Sequence, residues 1–282
     1  MDENMLLDEV MTQASAGQLV PYFGPGVLDL SPGGSPVPSS PEALAERLVA
    51  KVTVPHKIRK NLTAAAQYIE NFKHRKTLTT LLTEAFQEGA QPGPLHHAFA
   101  AQPLIVNAWY DDAMQATLQG RRDWGQVQGL SQAEHFGTWT RCYHSDGSPA
   151  EAVEAAAWNT VLYQPLGSIA PAGNFLVSDS DYVEVLTEID IQTPIPEVVQ
   201  RLRAGRHFLF LGCRFRNQLE RAFARQIMKR SSDTHWAVLE GELTRNEARF
   251  LEEQGVRRID MTLQAFGEAI ATRRPEVAAV AG

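Results

Sequence analysis

The sequence predicts an α/β fold built on a mostly parallel sheet with helices on both faces. Three observations predict it. Short apolar runs alternate with helical patterns along the chain. The runs are apolar throughout, as suits strands buried on both faces. The 282 residues, 44% of them hydrophobic, are enough to bury a substantial core.

The elements follow in order. Leu6 to Ala16 has helical spacing and stops at Gly17. Gln18 to Phe23 is a short buried strand, weakened by Pro21, which lacks a ladder donor. It runs into Gly24-Pro25-Gly26. Residues 31–41 are Pro-, Gly- and Ser-rich loop, and a helix begins with Ser40 as N-cap and Pro41 as first helical residue. Residues 61–101 hold two or three helices, with Tyr68, Ile69, Phe72, Leu78, Leu81, Leu82 and Phe86 on their apolar faces. Leu104 to Trp109 is a second buried strand, followed by a helix from Asp111 to Leu118. In 120–150 the alternation in Trp124–Leu130 and Thr138–Tyr143 suggests a hairpin or an edge strand. Val161-Leu162-Tyr163 is a strand leading to Gly167-Ser168. Helices are expected over Asp179–Ile189 and Pro194–Ala204, and the clearest strand is His207–Leu211, closed by Gly212. A helix (Asn217–Arg230), a strand (His235–Leu239), a helix (Thr244–Gln254), a strand (Arg257–Met261) and a last helix to Thr272 complete one domain, residues 1–272. The tail 273–282 is expected to be disordered.

Composition excludes several classes. The net charge of -7 argues against a nucleic-acid surface. The local run Arg214, Arg216, Arg221 and Arg225 reads as a solvated helix face. Two cysteines, Cys142 and Cys213, exclude a four-cysteine zinc site and a disulfide framework and suit a reducing compartment. The acidic start lacks the regions of a signal peptide, and no apolar run is long enough to span a membrane. A cytoplasmic location is therefore expected. His96-His97 and Cys142-Tyr143-His144 lack the spacing or the further ligands of a metal site, so no metal is expected.

Ligands of open parallel sheets sit beyond the carboxyl ends of strands. Four such ends carry suggestive residues: Phe23-Gly24-Pro25-Gly26, Asn107-Ala108-Trp109-Tyr110-Asp111-Asp112, Pro165-Leu166-Gly167-Ser168 and Leu211-Gly212-Cys213. Glycines let a backbone turn approach a phosphate closely. Asp111 suits either a ribose hydroxyl or the cap of its own helix. Trp109 can stack on a base or fill a pocket. Cys213 stands where a helix N-terminus can lower a thiol pKa, and it also suits a small pocket lining.

These pieces, with Leu95-His96-His97 and Asp181-Tyr182 between them, resemble in their order the sirtuin-like domain family, in its bacterial branch without a zinc ribbon. The resemblance covers roughly residues 5–271. It implies a Rossmann-like three-layer sandwich with a helical insertion at about 40–101. It also implies a pocket for NAD or ADP-ribose bordered by Gly24, Pro25, Gly26, Trp109, Asp111, Gly167, Ser168, Gly212 and Cys213.

The departures from the family pattern are specific. Trp109 stands where the family's catalytic Asn would, and Leu166 where its catalytic His would. Indole has no acceptor and leucine handles no proton. Leu28 and Asn217 replace the family's Ser and Asp. Asn107, two residues before Trp109, is the one replacement amide, since alternate strand residues share a face. The resemblance then implies a catalytically degenerate protein that binds a nucleotide or a protein partner in a regulatory or accessory role. The alternatives are an active NAD hydrolase of the anti-phage type and an interaction scaffold with a collapsed pocket. The sequence leaves the oligomeric state open, a homo-oligomer included.

Overall fold

The computed structural model describes residues 3–191 and 195–273. The first helix, α1 (Glu3–Ser15), leads into β1 (Leu19–Phe23) and a 3-10 turn, Pro25–Leu30. Four helices follow: α2 (Pro41–Lys51), α3 (Leu62–Lys73), α4 (Arg75–Phe86) and α5 (Pro94–Phe99). Next come β2 (Leu104–Asn107), α6 (Ala113–Leu118), β3 (Trp124–Gly129), β4 (Thr140–His144) and β5 (Pro149–Ala150). The chain continues through β6 (Thr160–Gln164), the two-residue strands β7 (Gly167–Ser168) and β8 (Asn174–Phe175), α7 (Asp179–Ile191) and α8 (Glu197–Arg203). It ends with β9 (His207–Leu211), α9 (Gln218–Met228), β10 (His235–Val238), α10 (Arg245–Glu253), β11 (Val256–Ile259) and α11 (Leu263–Ala271).

Nine strands form one sheet in the order β11-β10-β9-β1-β2-β6-β3-β4-β5, and β7 pairs with β8 apart from it. The ladders from β11 to β3 are parallel, and β3-β4-β5 are antiparallel. This is the three-layer Rossmann-like α/β sandwich expected. The alternation of side chains along each strand splits the core in two. Val20, Tyr22, Val106, Tyr163, Phe208 and Phe210 face the layer of α2, α3, α4, α8, α9 and α10. Leu19, Phe23, Ile105, Leu162, Leu209 and Leu211 face α1, α5, α6 and α11.

Local chemistry places the helix starts. Ser40 Oγ accepts from Ala43 N at 3.1 Å, with Pro41 next in the chain. Asn217 and Glu220, and likewise Thr244 and Glu247, bond reciprocally in capping boxes. Pro21 is accommodated inside β1, opposite Leu209.

Two expectations are corrected. The hairpin expected from Trp124–Leu130 and Thr138–Tyr143 forms as the antiparallel pair β3–β4, but Trp124–Leu130 is not an edge strand: β3 is buried along its length and lies between β6 and β4. Its glycines and glutamines disguised it, because the apolar signal of a buried strand was missing. The second strand ends at Asn107 rather than Trp109, and its helix begins at Ala113 rather than Asp111. Of the expected tail, Arg273 binds Asp8 on α1, and 274–282 lie outside the described residues.

The α3–α4 pair is fastened to the rest of the domain by ionic contacts around Arg75. Its guanidinium meets Asp181 on α7 at 2.8 Å, Glu70 at 3.4 Å and Glu134 at 3.5 Å, and donates to the Phe175 carbonyl. Asp181 is almost fully buried and also accepts from Ser131 Oγ and from the Val177 and Ser178 amides. Burial alone would raise its carboxyl, but Arg75 and these donors hold it below the usual range. Replacing Arg75 by Met should therefore cost about 3–5 kcal/mol in urea unfolding, because a buried carboxylate loses its counter-ion. The sign with pH is fixed by the depressed Asp181. The wild-type contribution is present above the unfolded carboxyl pKa of about 4 and is lost as acid protonates the folded group. The gap between wild type and Arg75→Met should close below about pH 4. An equal gap at all pH values would contradict the pairing.

Candidate functional site

The carboxyl ends of β1, β9, β2 and β6 meet on one edge of the sheet, and all the expected site residues lie there. The turn after β1 packs directly on the turn after β9. The Gly24 amide donates to Leu211 O at 2.8 Å, the Gly26 amide to Gly212 O at 3.1 Å, and the Val27 amide to Gly24 O at 3.3 Å. Pro25 has no amide hydrogen. The amides that could cradle a phosphate at this turn are thus engaged by the protein. The glycines are required by this approach. A Cβ on Gly24 would sit 2.6 Å from Gly212 O, and one on Gly212, whose φ is +68°, would sit 2.4 Å from Val27 N.

Cys213 follows directly. Its thiol lies 3.5 Å from Leu211 O and 3.8 Å from Tyr22 O. Burial, reinforced by the nearby Glu220, pushes the thiol well above its ordinary pKa, opposite to an activated cysteine.

At the end of β2 the chain turns after Asn107, and this separates Asn107 from Trp109. Asn107 continues the face of Ile105, whereas Trp109 packs in the opposite core half. The expectation that the two share a face fails because the strand stops between them. Asn107 Nδ2 donates to Asp111 Oδ2 at 3.2 Å. Asp111, 3% exposed, also accepts from the Ala113 amide at 2.9 Å and so satisfies the first amide of α6, one residue ahead of the N-cap Asp112. Burial raises its carboxyl to about 6, against the lowering effect of the Ala113 and Asn107 bonds.

Trp109, also 3% exposed, donates its indole N–H to Pro38 O at 2.8 Å and lies among Phe86 and Tyr110. Tyr110 packs on Phe175 and donates to Leu176 O. Leu166 is buried in the same apolar cluster. Gly167 and Ser168 pair with Phe175 and Asn174. Ser168 Oγ receives Gln115 Nε2 at 3.2 Å and lies 3.4 Å from Asp111 O. The structure therefore gathers Asn107, Asp111 and Ser168 into one polar seam on the α6 side. It places Trp109 and Leu166 in the apolar layer on the other side, and Gly24, Gly26, Gly212 and Cys213 in the contact between β1 and β9.

The sequence reading missed most of that seam. Gln126, Gln128 and Gln164 point from β3 and β6 and are buried. Gln128 Nε2 lies 2.8 Å from Gln164 Oε1 and 2.7 Å from Ala170 O, and Gln115 Nε2 reaches Gln126, Gln164 and Ala170. The period-two pair Gln126/Gln128 was the available signal. Arg75 and its partners gave no local signal. The arginines read as a solvated face are partly tethered: Arg214 binds the buried Glu247 at 2.9 Å, and Arg221 donates to Phe215 O.

Among the described residues, no group of three His, Cys, Asp or Glu is placed to hold a metal, and no helix is long and apolar enough to cross a membrane. A family model described as SIR2-like domain matches residues 103–259. The chain belongs to this family. A search of curated proteins returned no match for it.

SIR2-like domains bind NAD-related ligands. The side chains and amides of this SIR2-like domain, as arranged, do not fit such a ligand. The turn amides of Gly24, Gly26 and Val27 have protein acceptors, the Asp111 carboxylate holds Ala113 and Asn107, and the Trp109 indole N–H is bound to Pro38.

Two predictions follow from this geometry. Gly212→Ala should destabilise the domain by about 2–4 kcal/mol in chemical unfolding without any ligand, since it adds backbone strain to a steric clash. A normally stable variant would show the turn to be loosely packed. Asp111→Asn tests the buried carboxyl. Its raised pKa means that wild-type stability is full below the unfolded pKa of about 4 and falls as pH rises through about 6. The variant should then gain about 1–3 kcal/mol relative to wild type between pH 5 and pH 8. A pH-independent difference would remove Asp111 as the titrating group.

Proposed function

We propose that this SIR2-like protein does not turn over NAD and serves a regulatory or accessory role by binding. The observation that carries this is the burial of the two residues that the family resemblance sets in place of the catalytic Asn and His. They are Trp109 and Leu166, both buried in one apolar cluster. Neither side chain can act as a general base, and the one polar hydrogen, the Trp109 indole N–H, is bound to Pro38 O. The substitute amide, Asn107, is engaged with Asp111, which speaks against the active NAD hydrolase reading.

Between a nucleotide and a protein as the bound partner, the engaged turn amides and the Trp109–Pro38 bond favour a protein. A nucleotide of the NAD or ADP-ribose type remains the second reading. Family membership and the retained Gly24-Pro25-Gly26 turn favour it. Such a ligand would first have to part the contact between Gly26 and Gly212 and draw Trp109 away from Pro38.

Purified protein incubated with NAD should release no nicotinamide above a protein-free control. Robust release that disappears in Asn107→Ala would overturn the proposal. Thermal-shift titration with NAD, ADP-ribose and ATP divides the two binding readings. A ligand specific for the folded state stabilises it by about 2.7 kcal/mol at 100 times its dissociation constant. A shift with NAD or ADP-ribose establishes the nucleotide reading, and no shift with any of the three leaves the protein partner.

A further inference from the structure

A wide opening lies at the other edge of the sheet, away from the glycine turns. It is a groove of about 520 Å³ between the end of α9, the start of β10 and the turn from α10 into β11. That volume falls within the range of small-molecule sites, about 300–1,000 Å³. Its wall at the end of α9 carries Arg225, Lys229 and Arg230, followed by Ser231 and Ser232.

Arg230 has two unusual properties. It stands just past the end of α9 with φ at +67°, a position where helices usually place glycine. A β-carbon there costs about 1 kcal/mol or more. The side chain that the strain retains makes no hydrogen bond or ion pair among the described residues. A second cation lies close enough to sense it. Arg203, 3% exposed, donates to the carbonyls of Gln226 and Ile227 on the last turn of α9, and its buried Nε has no partner. Burial lowers the Arg203 pKa and Arg230 lowers it further. Among the described residues, neither guanidinium forms an ion pair with a carboxylate.

Two acids also line the groove. Glu253 is divided between Arg225 at 3.6 Å and Arg249 at 3.5 Å, and Asp233 lies near the start of β10. They do not pair with Arg230. The remaining polar lining is mixed. His235 accepts the Phe208 amide on Nδ1, so its neutral ring carries a proton on Nε2, which faces Ser231 Oγ at 3.5 Å. Gln226 also lines the groove, although its side-chain Oε1 is buried away from solvent. The groove therefore sets Arg230, which has no carboxylate partner among the described residues, beside the Arg225–Glu253 pair.

We propose that this groove binds a small phosphate-bearing molecule, with the phosphate on Arg230 and on Arg225, which exchanges its contact with Glu253 for the anion. Guanidinium–phosphate pairing is the charge-assisted contact that suits this geometry. The site is independent of the glycine turns and of the reading proposed for them.

Calorimetric titration with AMP, inorganic phosphate and adenosine tests it. AMP should bind and adenosine should not. Phosphate binding as tightly as AMP makes the free anion the ligand, and AMP binding more tightly makes it a nucleotide-like molecule. Arg230→Glu should weaken AMP by about tenfold or more, equivalent to about 1.4 kcal/mol. Arg230→Gly keeps the experiment independent of misfolding, because it relieves the positive φ. Its Tm should rise while its affinity for AMP falls. No binding of AMP or phosphate at about 10 mM, unchanged binding in Arg230→Glu, or adenosine binding as well as AMP would each overturn the proposal. A fall in Tm for Arg230→Gly would overturn the argument that strain is retained there for binding.

Discussion

The contact between the turn after β1 and the turn after β9 constrains both the fold and what the domain can do. β1 and β9 are neighbours in the sheet although nearly two hundred residues separate them. Their five-residue ladder continues past the strand ends into the bonds Gly24 N to Leu211 O and Gly26 N to Gly212 O. The backbones come so close that neither Gly24 nor Gly212 has room for a Cβ. Glycine at these positions is thus demanded by protein packing before any ligand is considered. The same bonds that complete the sheet edge occupy the donors on which an anion would otherwise rest. Fold and binding compete for one set of amides.

The apolar and polar sides of this edge have different characters. On the side of α2 to α4, Trp109, Leu166, Tyr110, Phe86 and Phe175 form a closed aromatic and aliphatic packing, and the one indole donor is satisfied by Pro38. On the side of α6, Asn107, Asp111, Ser168 and the glutamines form a dense seam. A buried amide without a partner costs free energy, and the seam still contains Gln164 Nε2 and Gln115 Oε1 in that condition. The polar side is therefore the less settled of the two. The Arg75 contacts are a third feature, because they tie α4 to α7 and β8 and hold the aromatic packing from outside.

Much of the architecture was legible because strand and helix signals are local. His207–Leu211 reads as a strand from five residues, and Ser40-Pro41, Asn217 and Thr244 announce helix starts through the caps they form. The burial of Trp109 and Leu166 suits their residue types, which the sequence displays directly. What the sequence could not display is pairing at long range. Gly212 as the reason for Gly24 is such a case. So is Asp181 as the partner of Arg75, 106 residues away. The failure at Asn107 has a local cause. Alternation is a property of strands, and the strand ends at Asn107 itself. The glutamines of β3 concealed a central strand, because a buried strand that carries amides loses the apolar run by which it is recognised.

The cost of restoring a ligand to the glycine edge can be argued from these contacts. A nucleotide phosphate there would need amides freed from Leu211 O, Gly212 O and Gly24 O, and each carbonyl left behind would need a new donor. A base or nicotinamide ring would need the space of Trp109, whose removal leaves Pro38 O unpaired and a large apolar gap beside Phe86. A protein partner docking on the outer surface would require none of these rearrangements. That difference in cost is what separates the two binding readings for this member of the family.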